Sequence, residues 1–211
     1  AGAGLATALA AAARARPQPV DVIAHSLGAR VALCALGALA AQERADVLAR
    51  IGRLILLGPA EFAGQARAAL DACARLGLPG PEVYAFTARG NAAFDRLFET
   101  LGPWGMGPSL GRGGLGEPRA RWIDLAFDDP RFPVWAAGQG LTLAPAGRGP
   151  CHWSFYARPG AMALHRAILD RRPGLDVAQM RASGAPQLAP RRRRSLFGGR
   201  LPPAPLSAEP A

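Results

Sequence analysis

Residues 20–41 read VDVIAHSLGARVALCALGALAA, and the reading of this stretch decides the fold. It opens with an apolar β-branched run, Val20, Val22 and Ile23, of the composition that suits a buried strand. The run stops at Ala24-His25-Ser26-Leu27-Gly28, and an Ala/Leu-rich stretch of helical character begins at once. A strand that turns directly into a helix pushes its apical residue, here Ser26, out of the sheet with the hydroxyl exposed. So sharp a turn admits only small side chains beside the apex. Gly28 and Ala29 follow it and Ala24 precedes it.

Outward from this point the chain alternates. Residues 1–16 read as an alanine helix with Leu5 and Leu9 on one face, ended by Pro17 and Pro19. The helix after Ser26 is expected to reach about Ala41, and Gln42–Arg50 continues in a helical pattern. RLILL at 53–57 reads as a buried parallel strand closed by Gly58-Pro59. Glu61–Leu76 is an amphipathic helix stopped by Gly77, EVYAFT at 82–87 a third strand, and 91–101 another helix. The Gly/Pro-rich residues 102–118 read as a long loop or lid, and RWIDLAF at 121–127 as a fourth strand. After LTLA at 141–144, a loop over 145–158 leads into a helix near Gly160–Leu169. The pattern predicts an α/β three-layer sandwich with a mostly parallel sheet over residues 1–180, ligands binding beyond the carboxyl ends of the strands. Residues 181–211, rich in Pro, Arg and Ala, are expected to form a disordered tail.

The pentapeptide at 24–28 resembles the nucleophile elbow of the α/β-hydrolase superfamily, which often reads G-H-S-L-G-G; Ala24 stands where the usual pattern has glycine. The resemblance covers about residues 1–172 and implies a serine hydrolase of the esterase or lipase type. Ser26 would attack a small acyl substrate to form an acyl-enzyme, with no metal or organic cofactor. In the superfamily's chain order of Ser, acid, His, the base is His152, within Cys151-His152-Trp153-Ser154-Phe155-Tyr156 on the loop before the last helix. In the family His25 shapes the site without serving as the base, and His165, beside Arg166 in a helix, reads as a surface or half-buried residue.

The resemblance places the acid just beyond Thr87. Asp95 is the carboxylate close by and the first choice, Asn91 the next for orienting the imidazole, and Asp128 and Asp129 are the alternatives. One oxyanion donor would be the backbone N–H of Leu27. The second comes, in the superfamily, from a loop after an earlier strand that has no counterpart before the elbow. An N-terminally incomplete fold is therefore expected, with an unpaired apolar edge at Val20–Ala24 and self-association through it. The rival readings are a catalytically impaired remnant and a non-enzymatic binding protein acting through its basic tail.

Composition narrows the classes further. The chain has 211 residues, half of them hydrophobic, enough for one domain with a sizeable core. All 25 basic residues are arginine, in a chain also rich in Ala, Gly and Pro, as a GC-rich gene gives, so the net charge of +10 is weak evidence for nucleic acid. The run Arg191–Arg194 reads as solvated charge, and no specific nucleic-acid partner is expected. Cys34, Cys73 and Cys151 are odd in number and lack metal-ligand spacing; Cys34 and Cys73 read as small buried residues, which fits a reducing, cytoplasmic compartment. The longest apolar run, Val31–Ala41, is too short to span a bilayer.

Overall fold

A computed structural model describes residues 1–102, 106–147 and 149–189 of the chain. The elements run α1 (Gly2–Ala15), β1 (Val20–His25), α2 (Leu27–Ala41), α3 (Ala45–Leu48), β2 (Ile51–Leu57), α4 (Ala63–Arg75), β3 (Glu82–Thr87), α5 (Ala92–Leu101), α6 (Leu110–Gly113), β4 (Trp122–Ala126), α7 (Phe132–Gly138), α8 (Ser154–Ala157), α9 (Ala161–Leu169) and α10 (Val177–Ala182). The four strands form one parallel sheet in the order β1-β2-β3-β4. The register sets His25 beside Leu57, Leu57 beside Phe86, and Thr87 beside Ala126, so all four strands end at one rim.

Strand alternation sorts the core into two layers. Leu54, Leu56, Val83 and Ala85 face the alanine- and leucine-rich helices α1, α2 and α4. Ile55, Leu57, Tyr84 and Phe86 face the aromatic layer of α7, α8, α9 and α10, where Phe127, Phe132 and Phe155 are fully buried. Both faces of the inner strands are covered, as their unbroken apolar runs require. At β1 only one face is covered, and Ile23 on the other is 43% exposed. Among the described residues no strand pairs with the outer edge of β1.

The expected elements are present, with four differences. Gln42–Arg50 is not one helical stretch: Glu43 takes φ 53° and the chain turns before the short α3. The N–H of Arg44 bonds back to the Leu39 carbonyl at 2.9 Å, which closes α2 with a Schellman turn built on glutamate rather than glycine. The segment 102–118 contains α6, and Ser109 bridges to Phe62, so part of the expected loop is packed. Cys34 is exposed on α2, whereas Cys73 is buried as expected and Cys151 is half-buried.

The fourth difference concerns the tail. Residues 181–189 do not begin it; they finish α10 and lie along β4. Ala126 N donates to Pro186 O at 2.9 Å and Leu188 N to Asp124 O at 2.9 Å. Packing against the sheet therefore continues past the expected boundary at 181. Arg191–Arg194 and the remainder of the tail lie outside the described residues. Among the described residues no helix is long and apolar enough to cross a membrane.

Candidate active site

Ser26 is the one residue between β1 and α2, at φ 54° and ψ −123°. That region costs a non-glycine residue roughly 1–3 kcal/mol, so the surroundings must hold it there. They do so through the backbone. Ser26 N donates to Leu57 O at 2.9 Å, and Ser26 O accepts from Ala29 N at 3.0 Å and Ala60 N at 3.1 Å. Ala24 and Gly28 face one another across the turn; a Cβ on Gly28 would meet that of Ala24 at 3.7 Å, an ordinary contact. The elbow thus has more room than its small-residue pattern implies, and alanine at 24 is accommodated. Leu27 follows as the first residue of α2, where backbone N–H groups lack intrahelical acceptors.

His152 reaches the same place from the far side of the fold. Its ring lies between Phe94, stacked at 4.4 Å, and His25, tilted at 4.4 Å. His25 Nε2–H donates to the His152 carbonyl at 3.0 Å, so His25 holds the backbone of this loop. The loop is pinned on both sides. Cys151 N donates to Gly90 O at 3.0 Å, and Arg158 donates to Phe127 O at 2.6 Å and to Ala144 O at 2.5 Å. Burial, and secondly the neighbouring His25, hold the His152 pKa below the ordinary histidine value, which keeps the imidazole neutral at pH 7.

The partner of His152 is Asn91. His152 Nδ1 lies 2.7 Å from Asn91 Oδ1, and because an amide oxygen can only accept, Nδ1 carries the proton and Nε2 is left as the acceptor. Asp95 makes no hydrogen bond to His152 among the described residues. It stands one helical turn behind, taking a bond from Asn91 Nδ2 at 2.8 Å on Oδ1, while Oδ2 is buried without a partner. The physical reason is local: a 3-10 turn over Arg89–Asn91 delays α5, so Asn91 sits at its N-cap and Asp95 falls four residues on, inside the fold. Asp95 is 2% exposed, and burial pushes its carboxyl up to about 7 against the opposing pull of the Asn91 bond.

The alternatives stand elsewhere. Asp128 accepts from the backbone N–H of Arg89 at 2.7 Å and Gly90 at 3.3 Å, supporting the turn that carries Asn91. Asp129 pairs with Arg131 at 2.8 Å. His165 is fully buried, contrary to the surface or half-buried reading; it donates to Phe155 O at 2.7 Å and packs on Phe86. Its helix α9 is covered by the aromatic layer, a property its sequence neighbour Arg166 conceals.

Ser26, Leu27, Asn91, Asp95 and His152 line one cavity of about 490 Å³, open to solvent at the strand ends. Among the described residues no hydrogen bond joins Ser26 to His152; they share the cavity without being in contact through one, as unliganded sites often do. The Phe94 stack and the His25 bond to the loop were not read from the sequence, and only the aromatic spacing around His152 pointed toward them. Among the described residues no group of three or more His, Cys, Asp or Glu side chains gathers as a metal site.

Residues 2–95 match the model of a family described as an alpha/beta hydrolase of unknown function (DUF900). The matched span runs from α1 through the elbow to Asp95, and stops before the loop of His152. No curated protein and no solved structure matches the chain.

Proposed function

We propose that this chain, an α/β hydrolase by its parallel sheet and its family match, is a serine hydrolase acting on an ester or related acyl substrate. The observation that carries the reading is that Ser26, in a constrained strand-to-helix turn, lines the same cavity as an imidazole whose Nδ1 is fixed by Asn91.

The chemistry follows from these atoms. His152 Nε2 takes the Ser26 hydroxyl proton as Oγ bonds to the acyl carbon. The carbonyl oxygen, now negative, receives the Leu27 N–H. Collapse breaks the bond to the leaving alcohol, which departs with the proton held by His152. Water then attacks the acyl-serine by the same route in reverse, releasing the acid and restoring Ser26.

Asn91 takes the position of the acid, and Asp95 acts through it. Asp95 presents Oδ1 as an acceptor, which turns the Asn91 amide nitrogen toward it and the amide oxygen toward His152. The carboxylate is thus a positioning residue that selects the imidazole tautomer. An asparagine left to turn freely could present its N–H₂ instead and place the histidine proton on the wrong nitrogen, the kind of error that costs about 10⁴-fold in a serine protease triad.

The test is labelling by a fluorophosphonate probe followed by peptide mapping, together with hydrolysis of p-nitrophenyl esters. Labelling confined to Ser26, lost in Ser26→Ala and His152→Ala, supports the hydrolase. A folded protein that does not label favours the catalytically impaired reading, which the amide in the acid's place recommends.

A further inference from the structure

Helix α5 is built the wrong way round for a helix of a folded domain. Its apolar side chains Phe94, Leu97, Phe98 and Leu101 recur at i, i+3, i+4 and i+7, the stripe that ordinarily faces the core. Here the buried residue is the carboxylate Asp95; Phe94 and Phe98 are half-buried against His152 and the core residue Phe62, while Leu97 is 56% and Leu101 78% exposed. The stripe lines the Ser26 cavity, and Leu27, 58% exposed, lies across from it on α2.

Resting on the hydrolase reading above, we infer that this stripe binds the acyl chain of the substrate, and that the chain is linear, uncharged and of medium length. Direction comes from the chemistry. The leaving group must stay within reach of His152, on which Phe94 stacks, so the acyl chain departs the other way, over Leu97 and Leu101. From Phe94 to Leu101 the helix rises about 10 Å, the span of roughly eight extended carbons. Charge points the same way. Arg30 also lines the cavity but stands 3.7 Å from the buried carboxylate of Glu61, so its charge is already balanced.

Two alkylphosphonofluoridates test this, one with an ethyl and one with an octyl group on phosphorus. In each, the Ser26 Oγ–P bond forms, the P–F bond breaks, fluoride leaves, and the hydroxyl proton passes to His152. The alkyl group occupies the place of the acyl chain. Complete burial raises affinity about fourfold per methylene; in an open cleft about twofold is expected, so the octyl probe should label Ser26 roughly 50- to 100-fold faster than the ethyl probe. Leu97→Ser/Leu101→Ser should cut that octyl-to-ethyl ratio about tenfold. Leu101→Ser alone, at an exposed position where folding is least at risk, should give part of the same loss.

Equal labelling by both probes overturns the acyl assignment and leaves the hydrolase standing. A ratio that survives in both variants also overturns it. If neither probe labels Ser26, binding of octanoate to the parent protein by calorimetry decides. Binding that weakens in Leu97→Ser/Leu101→Ser keeps the apolar cleft and removes the catalysis, and no binding overturns both.

Discussion

The elbow and helix α5 meet at one cavity but are built by opposite rules. The elbow follows local pattern throughout: an apolar strand, a turn of small residues, and a helix whose inner face is alanine and leucine. Helix α5 breaks the pattern, burying Asp95 and presenting its apolar stripe to the cleft. Breaches of this kind are expected where a surface serves a ligand rather than the fold. The elbow holds the proposed nucleophile in a constrained turn, and α5 with its N-cap Asn91 lines the cavity beside the proposed base.

If that division is right, the two regions respond differently to substitution. The largest effect belongs to the elbow. Ser26→Ala should reduce ester hydrolysis by at least about 10³-fold while the thermal midpoint changes little. Undiminished turnover would remove Ser26 from the mechanism. At the head of α5, Asn91→Ala should lower kcat by about 10²–10³-fold with less effect on KM, and Asp95→Leu by about tenfold, because it acts through the amide. The exchange Asn91→Asp/Asp95→Asn sharpens the point: it sets a charge directly on the imidazole and should restore kcat to the parent level or above. A dead exchange variant that still folds would mean that Asp95 does not act through Asn91.

Stability should divide along the same line. A Cβ on Gly111 would collide with Asp95 Oδ1, so Gly111→Ala should cost about 1–3 kcal/mol in urea melts. Asp95 also gives α5 a pH signature. Its folded pKa, about 7, lies above that of the unfolded chain, so its contribution to stability is present below about pH 4 and is lost as pH rises through 7. His165 has the reverse sign: burial lowers its pKa to about 4, so the unfolded chain binds more protons between about 4 and 6.5 and stability rises with pH across that range. The two slopes oppose each other in the parent protein. Asp95→Asn should unmask the rise and His165→Gln the fall, and identical profiles for both variants would contradict the assignment.

The smallest effect returns to the elbow. Gly28→Ala meets only an ordinary contact with Ala24 and should stabilise α2 by about 0.4–1 kcal/mol without loss of labelling. Destabilisation would mean that the turn leaves no room for a Cβ at position 28.

The sequence was legible where structure follows from neighbours. Strand periodicity and the small residues around Ser26 point to the sheet and the elbow, and the segment 82–87 coincides with β3 to the residue. Cys151–Tyr156 marked the histidine loop through its place before the last helix, in the superfamily's chain order, as well as through its aromatics. What was hidden depends on a single turn of backbone. Asn91 and Asp95 are four residues apart, and which of them meets His152 is set by the 3-10 turn before α5, stabilised from Asp128 thirty-eight positions away. The burial of His165 and the packing of residues 181–189 on β4 are likewise long-range outcomes, and local composition pointed to the surface in both cases.

The loop that carries His152 has a further consequence. It is tied to Gly90 at one end and, through Arg158 and His165, to the ends of β4 and α8 at the other. A segment so anchored has no private unfolding route, since its fastening points are carbonyls of the core itself. The Cys151 amide proton, bonded to Gly90 O, should exchange with solvent at the pace of the sheet rather than of the surface. Heating would then extinguish any activity in a single step with the fold, leaving no intermediate in which the sheet persists and the histidine has come away.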